Sequence, residues 1–154
     1  MPDEDRKERT DREFMELLNE LRVAIPGVQV LFAFLLTAPF NQRFSQTTGF
    51  QRDLYLAALL TSAAASALLI ATAAQHRLLF RQHSKEALLR RGNRLAISGF
   101  VSLAVAIVCS LLLVTDFLFG ALTSAVVAVL VAVSLGWLWL GMALAERRRT
   151  PDRP

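Results

Sequence analysis

The sequence predicts an all-α integral membrane protein, a four-helix bundle entered through an N-terminal cytoplasmic amphipathic helix, and three observations predict it. Apolar residues gather in four blocks, about 23–41, 54–76, 95–115 and 119–144, each close to or above the roughly 20 residues that cross a ~30 Å hydrocarbon core. With 54% hydrophobic residues and a mean hydropathy of +0.42, the 154-residue chain has too little polar surface to wrap those blocks as a water-soluble domain. The bases alternate in place as well: residues 1–22, the 75–94 hairpin and the tail hold 15 of 17 Lys and Arg, and the two opposite links hold 2. Basic loops stay on the cytoplasmic side, so both termini are expected inside, in a cytoplasmic (plasma) membrane.

Residues 1–9 mix acids and bases without apolar periodicity and are expected to be disordered. From Thr10 the pattern changes, because Phe14, Leu17, Leu18 and Leu21 fall at i, i+3, i+4 and i+7, the stripe of an amphipathic helix over 10–22 with Thr10 or Asp11 as N-cap. Its other face carries Glu13, Glu16, Asn19 and Glu20. Basic faces suit anionic lipid, so this acidic one suits a protein partner better.

That helix runs without a linker into the first crossing. Pro26-Gly27 removes a backbone donor and adds freedom, so the helix is expected to kink or restart there. Gln29 follows inside the apolar segment, where an amide is expected to hydrogen-bond a neighbouring helix or a freed backbone carbonyl. Pro39 stands at the far end, and the polar link 41–53 reads as a short loop.

The second block sets Ala57, Thr61 and Ala65, and Ala58, Ser62 and Ser66, four residues apart, a spacing that lets helix backbones approach closely. The 75–94 segment is the basic centre, with Arg77, Arg81, Lys85, Arg90, Arg91 and Arg94 against Glu86 alone. Leu78-Leu79-Phe80 and Ala87-Leu88-Leu89 predict that both crossings continue as helices past the lipid and turn at 82–84, with Ser84 as an N-cap. Ser98, Ser102, Ala106 and Ser110, then Gly120, Ser124, Ala128, Ala132 and Gly136, repeat the four-residue rhythm in the third and fourth blocks. These helices are expected to pack together or onto the second, joined by a tight turn at 115–119. Trp137 and Trp139 fit an interfacial position, and 146–154 form a charged cytoplasmic tail.

Catalysis would need a nucleophile beside a base, paired carboxylates in a cleft or a metal cluster, and no such pattern is legible. His76 and His83 stand seven apart without a metal-binding motif, and Cys109 is a lone cysteine within an apolar block. No enzyme activity, cofactor, metal or nucleic-acid partner is expected. Transport needs an ionisable group partway across the bilayer, whereas Glu20, Asp53, Asp116 and Glu146 all lie at block edges. Asp116 at the outer turn reads as a helix cap.

The run Leu17-Leu18-Asn19-Glu20-Leu21-Arg22-Val23-Ala24-Ile25-Pro26-Gly27-Val28-Gln29-Val30-Leu31-Phe32-Ala33-Phe34-Leu35, with Pro39-Phe40, Arg43-Phe44, Gln51-Arg52, Tyr55, His76-Arg77, Phe80-Arg81 and Asn93-Arg94, resembles the DUF6328 family of small, mainly actinobacterial membrane proteins. The resemblance covers roughly residues 12–145 and implies the four-pass topology and the weight of the Glu20 to Gln29 stretch. It supplies no catalytic residue. Some members carry a sodium:proton antiporter label, which implies a buried carboxylate that the blocks of this sequence lack.

The reading is therefore a non-enzymatic accessory or scaffold in the lipid bilayer that presents a charged cytoplasmic surface to a membrane-protein partner or to further copies of itself. Its residues are a polar membrane-entry cluster of Glu20, Arg22, Gln29, His76, Arg77, Arg81, Asn93 and Arg94. The alternative is a small cation (sodium)/proton antiporter acting as an oligomer, with Asp116 or Glu20 handling the ion.

Overall fold

The computed structural model describes the backbone of residues 2–79 and 85–138, and the side chains of Arg12, Met15, Glu16 and residues 19–74 and 92–138. Among the described residues there are four α-helices: α1 (Pro2–Thr37), α2 (Gly49–Leu79), α3 (Lys85–Phe119) and α4 (Ala121–Gly136). Two 3₁₀ turns, Ala38–Phe40 and Gln42–Gln46, join α1 to α2, and no strand occurs among the described residues. Among the described residues three stretches, Asn19–Phe40, Gly49–Ala74 and Gly92–Phe119, are long and apolar enough to cross a bilayer, and no more than 22% of each apolar window is buried within the chain. Val23, Phe34, Leu60, Val101 and Leu122 are among the large side chains left outside. An outer surface this apolar is soluble in lipid and not in water. The described part of α4 is a shorter apolar helix, and the rest of the fourth block, with Trp139 and the tail, lies outside the described residues.

Helix α1 departs from expectation at both ends of its N-terminal half. It is helical from Pro2, through residues expected to be disordered. The sequence sets Asp3, Asp5 and Glu8 four residues ahead of Lys7, Arg9 and Arg12, the acid-before-base order that supports a helix locally, and early acids favour the helix N-terminus. The fresh helix start that Pro26-Gly27 suggested is also absent, since Pro26 sits inside the continuous helix. Leu21 and Val28, which bracket it, are both buried in the same interhelical groove. That packing keeps both halves in one helix against the loss of one backbone hydrogen bond. Leu35 is buried another seven residues on, so α1 offers one narrow stripe to its neighbours.

Pro39, which has no N–H to donate, lies in the 3₁₀ turn that follows Thr37. Asn41, in extended conformation, accepts a hydrogen bond from the Arg43 N–H at its Oδ1 (3.0 Å) and starts the second turn. Helix α2 then begins at Gly49, inside the stretch expected to be loop. The cause is a reciprocal cap: the Gln51 N–H donates to Thr48 Oγ1 (3.3 Å), and the Thr48 N–H donates to Gln51 Oε1 (3.1 Å). A Thr-x-x-Gln start of this kind satisfies two donors that a helix end otherwise leaves open.

Helices α2 and α3 form the main packed pair, with α1 against α2 and more lightly α3, and α4 against α3. Their buried residues recur at seven: Gln51, Ala58, Ala65 and Thr72, with Ser62 and Leu69, on α2, and Gly92, Gly99 and Ala106, with Ala96, on α3. A spacing of four gains on the helix's 3.6-residue turn and winds around it, whereas seven nearly closes two turns. This is why only Ser124 and Ala128 of the α4 ladder are buried while Ala132 is exposed. The α3–α4 turn falls on Gly120 alone, at φ 86°, and not on 115–119, which remain helical. Reversal within one residue needs a left-handed conformation that glycine adopts without steric penalty. The turn between α2 and α3, including Ser84, lies outside the described residues.

Candidate functional site

The alternating helix directions gather polar residues at two opposite ends of the bundle. At the end where α1 meets α2, the capping residue Gln51 has a second task. It is 6% exposed, and its Nε2 donates to Asp116 Oδ2 at 2.8 Å. The same carboxylate faces α4, where Ser124 Oγ stands 3.4 Å from Asp116 Oδ1 and 2.9 Å from the Ala121 carbonyl. One hydroxyl proton is shared between those acceptors, and the shorter contact is the better bond. Asp116 also offers its carbonyl to the Gly120 N–H (3.1 Å). A single carboxylate thus links the start of α2, the end of α3 and the start of α4.

Beside it, the Tyr55 hydroxyl donates to the Leu35 carbonyl at 3.0 Å, and its ring meets Phe44 edge to face at 5.0 Å between centroids. This fastens the end of α1 to α2. A mostly apolar cleft of about 240 Å³ opens next to it, lined by Ala38, Phe44, Leu113 and Phe117, with Asn41 and Arg43 as polar members.

The opposite end carries most of the residues expected to form a polar cluster. Leu21 of α1, Leu69 of α2 and Ala96 of α3 share one buried cluster there. Around it, Glu20, Arg22, Asn93 and Arg94 are all exposed. No ion pair or side-chain hydrogen bond joins these four among the described residues. His76 and Arg77 lie in the last turns of α2, but their side chains, like the whole of Arg81, are outside the described residues. So are the side chains of Phe14, Leu17 and Leu18, the expected apolar stripe of the amphipathic segment. Gln29 does not join this end, because it lies two turns farther along α1 and faces outward. Glu20 and Asp116, the two carboxylates of the antiporter alternative, stand at opposite ends of the bundle, since α1 and α3 run in the same direction. They form no common site.

The residue that sequence reasoning passed over is Gln51. The signal was present in Thr48-Gly49-Phe50-Gln51, a capping pattern just ahead of an apolar block, although nothing in it reveals Asp116 as the third member. No curated protein and no solved structure is significantly similar to the chain. A family model does match, over residues 3–143, nearly the whole chain, and the chain belongs to that family, described as a family of unknown function (DUF6328).

Proposed function

We propose that the protein is a non-enzymatic accessory or scaffold of the cytoplasmic membrane, with both termini inside, that offers its charged end to a membrane-protein partner. The observation that carries this reading is the state of Glu20, Arg22, Asn93 and Arg94: all four are exposed at one end of the bundle, and none is paired with another among the described residues. Charges left free at a surface steer and select partners of complementary charge. His76, Arg77 and Arg81, which the sequence reading adds to this cluster, lie outside the described side chains. The 15 to 2 division of bases supports a cytoplasmic location for that end.

The state of Asp116 supports the scaffold over the antiporter. Its Oδ2 is engaged by Gln51 and its Oδ1 faces Ser124, which suits a helix-positioning group, whereas a carrier must bind and release its ion. Full-length protein sealed in vesicles is expected to show no sodium-dependent proton flux above empty vesicles. A flux abolished by Asp116→Asn or Glu20→Gln, with folding retained, would replace this reading with the antiporter. In native membranes solubilised in mild detergent, a stoichiometric partner is expected to co-purify and to be lost in the Arg22→Gln/Arg94→Gln variant.

A further inference from the structure

Gln29 is an amide in the wrong solvent. It lies near the middle of the Asn19–Phe40 span, seven residues past Arg22, and no charge occurs between Arg22 and Arg43. Seven residues are about 10 Å of helix rise, so the side chain is too deep and too short to reach the interface as a long basic side chain would. It is exposed on α1, and its amide has no hydrogen-bond partner among the described residues. The neighbouring helices α2 and α3 pack on the other stripe of α1, through Leu21 and Val28. The carbonyl freed by Pro26 is that of Arg22, two turns away. Hydrocarbon supplies no donor or acceptor, and an unsatisfied amide there is costly.

We propose that α1 mediates self-association, two copies of this chain meeting on the Gln29 face with their side-chain amides paired across the interface. The occupant is a second copy because a carboxamide is both donor and acceptor, so two of them related by a two-fold axis satisfy each other. Identical chains inserted in the same direction bring that group to the same depth by symmetry. A different helix would need a polar residue at matching depth. Pro26 and Ala33, one turn to either side of Gln29, are exposed and small, which permits the close approach that interhelical hydrogen bonds require. Leu36, 47% exposed on the same face, completes it with apolar area. Arg22 of the two copies would face each other only at the watery end, where screening is strong. This inference rests on the membrane-spanning reading of α1 and is independent of the scaffold reading.

The test uses the full chain in phosphatidylcholine vesicles, with dye-labelled copies followed by energy transfer as the protein-to-lipid ratio is varied. The parent is expected to dimerise, Gln29→Leu to weaken association about tenfold, and Gln29→Asn, which keeps an amide, to weaken it less. In a Cys109→Ser background, Ala33→Cys is expected to cross-link between copies, and Phe34→Cys, exposed but a further ~100° around the helix from Ala33, is not. Energy transfer absent at every ratio, or unchanged in Gln29→Leu, overturns the proposal, and so does cross-linking through Phe34→Cys in place of Ala33→Cys. A monomer in vesicles would leave the Gln29 face to a different chain. The flux and co-purification results stand or fall separately from all of these.

Discussion

Substituting Gly99 with alanine tests a close approach of α3 to α2. A Cβ built on Gly99 would lie 2.7 Å from Leu69 Cδ2, 2.9 Å from Leu69 Cγ and 3.4 Å from Leu68 Cβ. The Leu69 methyl could move in isolation, but Leu69 is fully buried between α1, α2 and α3, so its rotation displaces other core atoms. Overpacking of this kind costs about 1–3 kcal/mol. Against it stands the helix preference of alanine over glycine, at about 1 kcal/mol. The net expectation is a loss of roughly 0–2 kcal/mol. Gly27 provides the control, since its added Cβ meets nothing within 4 Å, and Gly27→Ala should gain up to about 1 kcal/mol. The two variants would be compared by reversible unfolding in mixed micelles, read from the midpoint with the slope checked for constancy. Trimming the neighbour should relieve the clash, so that Gly99→Ala and Leu69→Ala together cost less than the sum of the single changes. If Gly99→Ala proves as stable as Gly27→Ala, or the double variant is simply additive, α2 and α3 do not approach at Gly99 and the packing argument fails.

Gln51→Ala should lose about 2 kcal/mol, because it removes half of a helix cap and a hydrogen bond to a charged group, whereas Gln51→Glu sets a second carboxyl against Asp116 and should do worse. Equal stability of Gln51→Glu and the parent in the same unfolding assay would show that the Asp116 contact carries nothing. For orientation, single cysteines at Ser84 and Ser45 in a Cys109→Ala background are expected to differ toward an impermeant reagent in intact cells, with 45 labelled and 84 protected; the reverse pattern would invert the topology.

Residue order and composition are enough to make the chain helical and lipid-embedded, and to set about where the spans lie, because those properties follow from apolar run length and from the absence of enough polar surface to cover it. The close antiparallel pairing of the helices was legible too, in ladders of small residues and in links too short for any other arrangement. Which small residues are buried was not. That depends on how far two helices stay in register, and the seven-residue set of Ala58, Ala65, Gly99 and Ala106 prevails over the four-residue ladders because it drifts less around the helix. The fate of Pro26 likewise belongs to tertiary structure, since local chemistry favours a break and the burial of Leu21 and Val28 on either side keeps the helix whole. Asp116 shows the limit most plainly. Its position at a turn predicted a cap, but its side chain instead receives Gln51 from 65 residues away, a pairing set by the antiparallel alignment of α2 and α3 that no local pattern encodes.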